Sequence, residues 1–478
     1  MKSFRALFLL SVATTALAAT YDAVVVGAGL SGLNAAKTLA ENNKTFVVLE
    51  ARDRVGGRVV NHYLQTGGEV DMGAEFVGPT HDYVIALAKE LGLELFDTYN
   101  KGDNVLYLDD KRSTYAASGL LGAIPPLDPI SLIQIGILQG KVDDMVSKIN
   151  VQAPWDSPNA AEYDSKTADE WLNEQDLTAD ARKILDVGLV EVLSADATEY
   201  SLLYLLTYIA AAGNAQHKGT FERLTQTSPG AQQWRVEGGT GLLAEGLAKI
   251  IGADKIKLGM PVSSIVRGDG DNATYTTTST SGETFESRHV IVAMSPPMAD
   301  HIKFTPALTE DRKQVQSKMK MGSLGKGIAK YETPFWRDSG LTGQAVSDKY
   351  STRATFDISP KNGSSGILMG FIQVAQMREL DNATDAEMTA KITEAFTAYF
   401  GDKAKNATEW TFSRWDPAPY SGGGPVAHAP VNVLYPHGKA LRAPIGNLHF
   451  AGTESSDYWV GYMDGALRSG ERVAKEID

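Results

Sequence analysis

Tyr21-Asp22-Ala23-Val24-Val25-Val26-Gly27-Ala28-Gly29-Leu30-Ser31-Gly32 decides the fold, together with Glu50, which closes a second apolar run eighteen residues after the last glycine. Tyr21 to Val26 reads as a buried parallel strand, Ser31 to Asn42 as an amphipathic helix, and Lys44 to Glu50 as the returning strand. The glycines between strand and helix permit a tight turn, let a pyrophosphate approach the backbone and let helix and strand pack closely. The free N–H groups and positive dipole end of the helix N-terminus suit the phosphates. The Glu50 carboxylate falls where a ribose 2′-hydroxyl would lie. Glycine turns are common, so G-x-G-x-x-G alone says little. Strand, glycines, helix, strand and terminal acid in register say much more: this unit is built for a dinucleotide.

Ala51-Arg52-Asp53-Arg54-Val55-Gly56-Gly57-Arg58 continues directly from Glu50, and its paired glycines with flanking arginines make a second anion cradle. A pyrophosphate gripped from both loops suits a long, permanently held cofactor, whereas a dehydrogenase must release its nicotinamide. The string from Glu50 to Arg58 resembles the hallmark of the FAD-dependent amine oxidase superfamily, and the resemblance implies FAD.

The chain has 478 residues, 43% of them hydrophobic, enough for a large core and two domains. Lys2 and Arg5 precede an apolar run from Ala6 to Ala13, and Ala16-Leu17-Ala18 offers a small-residue cleavage site. Residues 1–18 are therefore expected to be a signal peptide and the protein to be secreted; the run is too short and wrongly flanked for a membrane anchor. Its removal takes two positive charges from the formal net charge of −13, leaving −15. Sequons at Asn43, Asn272, Asn362, Asn382 and Asn406 are compatible with passage through a secretory pathway. Cysteine is absent, so no disulfide staples the fold and no thiol can form a thioether to a flavin. FAD is then expected to be non-covalent. The acidic balance disfavours nucleic acid as a partner, because phosphate binding needs clustered Lys and Arg. The eight histidines lack ligand spacing, so no metal is expected.

The fold class expected is α/β: a Rossmann-type FAD-binding domain assembled from three chain segments, with an inserted α+β substrate-binding domain. The three segments are 20–80, 233–300 and 415–478, and the insert comprises 81–232 and 301–414. Helical patterns dominate from His81 to Tyr208. Strand character returns at Lys257 to Arg267, at the Thr-rich stretch Thr274 to Thr280 and at His289 to Ala293. Asn447 to Gly452 reads as a last strand and Gly461 to Ile477 as the closing helix.

Further ordered blocks extend the resemblance over nearly the whole mature chain, closest to the monoamine oxidase branch. Asp71-Met72-Gly73-Ala74-Glu75-Phe76-Val77-Gly78-Pro79-Thr80 is similar to the loop passing beside the flavin. Met321 to Lys326, followed by Pro334 to Arg337, resembles the segment with the active-site lysine. Trp415 with Tyr420 to Gly423 looks like the turn beneath the flavin ring. Phe450 to Glu454 and Trp459 to Met463 resemble the closing flavin contacts. The resemblance implies cofactor contacts at Gly27, Gly29, Ser31, Gly32, Glu50, Arg52, Gly57, Arg58, Val262, Trp415, Gly452, Thr453 and Met463. It also implies oxidation of a C–N single bond: a hydride equivalent passes to flavin N5, the imine hydrolyses, and dioxygen becomes hydrogen peroxide. Catalytic roles are implied for Lys326, holding a water against flavin N5, and for Tyr462, one wall of an aromatic cage. Outside these blocks Tyr462 would read as a packing aromatic and Lys326 as a surface lysine.

Two departures from the family pattern stand out. Gly424 occupies the position of the flavin-linking cysteine, and Pro425 replaces the second cage tyrosine, leaving His428 as a candidate to fill the gap. Glu191 falls where relatives have an apolar pocket residue; turned inward, it could bind a remote cationic or hydroxyl group, with Gln232 fixing the polar end of the substrate. The expected partners are a small-molecule amine and dioxygen, and a homodimer stays open. An L-amino-acid oxidase is disfavoured because Glu75 follows Gly73-Ala74, where those relatives carry a carboxylate-binding arginine. A polyamine oxidase is disfavoured because Gly78 stands where those enzymes have an acid. A non-catalytic secreted flavoprotein is disfavoured by the presence of Lys326 and Tyr462.

Overall fold

The computed structural model describes residues 20–117, 124–270 and 272–477. The segment read as a signal peptide lies outside them. Strand Tyr21–Val26 sits at the centre of a parallel sheet. Phe46–Leu49 and then Ile256–Lys257 lie on one side of it, and Thr284–Ala293 and Leu448–Ala451 on the other. Val24 and Val25 are fully buried, as a strand covered on both faces requires. Helices cover one face: Leu30–Glu41 and the closing helix Met463–Lys475 share a core with Leu243 and Leu247 of Gly241–Ile251. This is the mixed α/β architecture expected from the opening stretch.

The strand Thr284–Ala293 is longer than the run His289 to Ala293. Its first half turns antiparallel to Tyr275–Ser279, which pairs with Val262–Arg267 in a meander. Lys303–Thr305 then adds to Val262–Arg267, so this sheet runs slightly past residue 300. The first segment likewise runs on past Thr80. Helix Asp82–Glu90 buries Val84, Leu87 and Ala88 in the dinucleotide core, and its Tyr83 N–H donates to Asp464 Oδ1 at 2.7 Å.

A second, seven-stranded sheet forms the floor of the other half, in the order 409–414, 325–331, 366–372, 352–357, 341–347, 103–108 and 111–116. Its last two strands correct the helical reading of His81 to Tyr208. Asp103–Leu108 and Lys111–Ala116 form a hairpin whose Asp109 and Asp110 both have positive φ, 49° and 61°. That is the backbone a two-residue hairpin turn demands, and Asp tolerates it. Beyond the hairpin the segment is helical. Pro129–Ser147, Ala179–Leu193 and the wholly buried Leu202–Ala211 pack together over the cavity. Among the described residues no helix is long and apolar enough to cross a membrane.

Candidate active site

One cavity of about 1730 Å³ runs from the glycine-rich turn, between the two sheets, to the helices above. At its first end lie Gly27, Gly29 and Ser31, and the helix starts at Leu30 with no side-chain cap, leaving its first N–H groups for a ligand. A Cβ on Gly29 would meet nothing within 4 Å, whereas one on Gly32 would lie 1.9 Å from Gly27 O. Gly29 therefore leaves room for a ligand and Gly32 lets helix and turn touch. Glu50 is buried, with Oε2 accepting from Ala28 N–H at 2.8 Å and Oε1 from Arg52 N–H at 2.9 Å. Each oxygen keeps lone pairs for a ribose hydroxyl. An uncapped helix, open space over Gly29 and a fixed carboxylate in one elongated cavity fit FAD.

Gly57, Arg52, Arg58, Val262, Trp415, Thr453 and Met463 line the same cavity, while Gly32 and Gly452 stand behind its wall. Two of the arginines expected to form an anion cradle, Arg52 and Arg58, also brace segments against one another. Arg52 donates to Pro419 O at 2.6 Å and Ser421 Oγ at 2.8 Å, and Arg58 to Pro425 O and Glu454 Oε1 at 2.5 and 2.8 Å. Thr453 Oγ1 accepts from Gly461 N–H and donates to Tyr462 O, at 2.7 and 2.9 Å, fixing the turn before the closing helix.

Lys326 and Tyr462 both face this cavity. Lys326 comes from strand Gly325–Tyr331, and its Nζ donates to Asp71 O and to Glu75 Oε2, both at 2.8 Å. Glu75 Oε1 in turn accepts from Arg235 Nε at 3.0 Å. Burial first, and then the nearby Glu75 charge, push the Asp71 carboxyl up to about 6. Tyr462 stands at the N-terminus of the closing helix, with Trp459 and His81 packed against it at ring-centroid distances of 4.8 and 5.5 Å. Burial lowers His81 to about 3, so its imidazole is neutral packing.

The gap left by Pro425 is not filled by His428. That histidine is 1% exposed, packs toward Tyr200 at 6.3 Å between rings and does not line the cavity; burial lowers its pKa to about 4. Tyr208 lines the cavity instead, its ring 6.2 Å from Tyr462. Sequence reading missed it because Leu202–Ala211 is apolar all round and shows no functional face.

Glu191 and Gln232 also line the cavity. Gln232 Nε2 donates to Leu224 O at 3.0 Å, and its Oε1 is buried with no partner. Glu191 Oε1 accepts from Gln373 Nε2 at 2.5 Å. Burial outweighs that bond and the Arg353 charge, raising the Glu191 carboxyl to about 8. At neutral pH it is largely protonated.

The chain matches the family of flavin containing amine oxidoreductases over residues 30–478. It belongs to that family, and its cofactor is FAD. AofH of Mycobacterium tuberculosis, assigned as a flavin-containing monoamine oxidase, is 37% identical over 96% of both chains. Among solved structures, cyclohexylamine oxidase from Brevibacterium oxydans superposes with a TM-score of 0.88 at 32% identity, covering 96% of this chain and 99% of that one. Wild-type putrescine oxidase bound to putrescine superposes with a TM-score of 0.89 at 27% identity, with the same coverage.

Proposed function

We propose that this enzyme oxidises primary amines, aliphatic or arylalkyl, with dioxygen as electron acceptor, and favours long-chain or hydroxylated aliphatic ones. The overall change is RCH2NH2 + O2 + H2O to RCHO + NH3 + H2O2. Bound FAD supplies the hydride acceptor; the protein orients the amine, excludes water and sets the local charge. The aromatic pair Tyr208 and Tyr462 offers an apolar slot that favours the neutral amine, whose lone pair the reaction needs. Lys326 would hold the water expected at flavin N5 and place positive charge where dioxygen takes up electrons.

The observation carrying the substrate preference is the Glu191 carboxyl, set in the same cavity as Lys326 and Tyr462. A protonated carboxyl beside Gln373 can exchange hydrogen bonds with a hydroxyl. A distal ammonium would instead draw Glu191 into its ionised form, and the likeness to putrescine oxidase supports a diamine as the second reading. Polyamine oxidase is less well supported, because Gly78 carries no acid and a Cβ there would already be tight against Gly230 O at 3.0 Å. For the L-amino-acid reading, Glu75 is neutralised by two cations, so repulsion no longer excludes a carboxylate. The Arg235 guanidinium is nevertheless occupied by Glu75 and Ser359 O.

Peroxide release with a panel of benzylamine, a long-chain amino alcohol and a diamine tests this. Glu191→Leu should lower kcat/KM for the amino alcohol about 10- to 100-fold relative to benzylamine, the worth of one buried hydrogen bond to a charged or strongly polar group. An unchanged ratio removes Glu191 from substrate choice, and no peroxide from any amine removes the oxidase reading. Export is part of the same proposal, supported by the N-terminal apolar run and by the exposure of all five sequon asparagines. Its test is the N-terminal sequence of protein recovered from culture medium.

A further inference from the structure

Behind Lys326 lies a chain of buried charges that the amine chemistry does not by itself require. Glu75, Arg235 and Lys326 are 3%, 6% and 5% exposed, and the Glu75 carboxylate spans the other two with one oxygen each. Each member comes from a different element. Glu75 precedes strand Phe76–Val77, and Arg235 lies on Trp234–Val236, paired with Phe76 on one side and Phe96 on the other. Lys326 comes from the second sheet, paired with Phe371 and Ser413. The Arg235 guanidinium is further held by Ser359 O at 2.8 Å and lies over the Phe96 ring at 5.2 Å. Glu75 and Lys326 line the cavity; Arg235 does not.

A salt bridge between one cation and one carboxylate would serve to bury Lys326, but its field would largely cancel at the cavity wall. A second cation behind the carboxylate changes that. The Glu75 charge is then shared, and the ammonium in front is left only partly neutralised. Two of the three Nζ donors are fixed, by Glu75 and by Asp71 O, which leaves the third for the cavity. Asp71 is the fourth ionisable group of the cluster, its carboxylate held by Thr240 N–H and Oγ1 at 2.8 and 2.7 Å.

We propose that Glu75 is the positioning residue of Lys326, aiming its ammonium at the flavin, and that Arg235 is the counter-cation that keeps this ammonium from being neutralised. This rests on the bound FAD, and its decisive measurement needs no amine. Removing the anion makes the cluster one charge more positive, and removing the rear cation makes it one charge more negative. The two variants must therefore move the flavin in opposite directions if these charges reach it, and dependence on Lys326 separates positioning from the field of the charges alone.

The experiment is a dithionite titration of FAD-loaded protein against a reference dye at pH 8. Relative to wild type, Glu75→Gln should favour reduced flavin at least about threefold in the reduction equilibrium, and Arg235→Gln should disfavour it by a similar factor. Stopped-flow mixing of photoreduced enzyme with oxygenated buffer is the second readout. Glu75→Gln should slow reoxidation about tenfold in the wild-type background and less than twofold in the Lys326→Met background, because Glu75 acts through the lysine. Glu75→Asp, which keeps the charge, should preserve the wild-type potential should the glutamine variant fold poorly. Potentials that stay put, or shift the same way in both variants, overturn the proposal, as does equal slowing in both backgrounds. Wild-type enzyme that does not react with dioxygen would sink the oxidase reading and leave the potentials to judge Glu75.

Discussion

The two ends of the cavity treat their polar groups in opposite ways. At the dinucleotide end the charged side chains are already braced by the protein, and what is left for a ligand is backbone N–H groups and the spare lone pairs of Glu50. Glu50 holds two backbone N–H groups, Arg52 and Arg58 are bonded to segments far away in sequence, and Glu454 anchors Arg58. At the far end they are open: Gln232 Oε1 has no partner, and Glu191 has Gln373 alone among hydrogen-bond partners. A cofactor held permanently can be met by side chains already locked in place, with backbone N–H groups and fixed lone pairs left to bind it. A substrate that comes and goes must be met by groups that still have bonds to give, and those groups are costly to bury. The cofactor end is the stabilising half of the site and the substrate end the strained half.

The largest effect that would break this contrast lies at two glycines of one turn, Gly32 and Gly29. A Cβ on Gly32 would lie 1.9 Å from a backbone oxygen, so Gly32→Ala should destabilise the apoprotein and the FAD-loaded protein alike. Gly29→Ala meets nothing in the protein within 4 Å. It should leave the melting temperature of the apoprotein unchanged and weaken FAD by about 100-fold or more, read by flavin fluorescence titration. Equal loss of apoprotein stability in both would mean that the space over Gly29 is not the cofactor's. With no cysteine in the chain, acid precipitation should release the yellow colour to the supernatant.

Next in size is Lys326→Met. A buried positive charge facing the place where dioxygen takes up electrons is an electrostatic device of the kind worth about 10²- to 10³-fold in rate. Reoxidation should fall by that order while anaerobic reduction by amine falls much less. An unaltered oxidative half-reaction in the stopped flow would make Lys326 a structural member of the wall.

How much of this was legible in the sequence follows the same division. Gly27 to Glu50 announces its strand, turn and helix because local backbone demands and a short-range pattern specify them. The hairpin 103–116 was lost because its turn is Asp109-Asp110, with no glycine to mark it. Lys326 and Tyr462 could be found inside recognisable blocks. Arg235 and Tyr208 could not, since their roles come from sheet register and helix packing that bring distant segments together. Arg52 and Arg58 were legible as residues facing the cofactor, but their bracing of other segments was not, because the oxygens they bind lie more than 360 positions away.

A smaller effect tests the strain at the substrate end. The Glu191 carboxyl is raised from 4.5 to about 8 by burial, so the folded protein holds a proton there that the unfolded chain has released. Between those values the native state binds more protons, and stability therefore falls as pH rises from about 4.5 to about 8. Glu191→Gln removes that slope. Its melting temperature should exceed that of wild type by a margin that widens from pH 5 to pH 8. A margin that is constant, or that narrows, would mean the carboxyl is solvated and not held neutral by the cavity.

The smallest expected effect concerns Tyr208, the aromatic that stands beside Tyr462 where Pro425 leaves no second tyrosine. Burial pushes both phenols well above their ordinary range, so both remain neutral donors at any working pH. The ring and the hydroxyl can be separated by two substitutions. Tyr208→Leu removes an aromatic wall, which should cost an arylalkyl amine on the order of 1 kcal/mol in kcat/KM and a straight-chain amine less. Tyr208→Phe keeps the wall and removes the hydroxyl that faces Tyr462, so it should leave the benzylamine to straight-chain ratio within about twofold while changing both rates together by ~0.5–1.5 kcal/mol. A ratio that shifts as far with phenylalanine as with leucine would show that the hydroxyl, and not the ring, discriminates between substrates. Tyr208 would then belong with Glu191 and Gln232 among the open polar groups of the substrate end, and the apolar slot would reduce to Tyr462 alone.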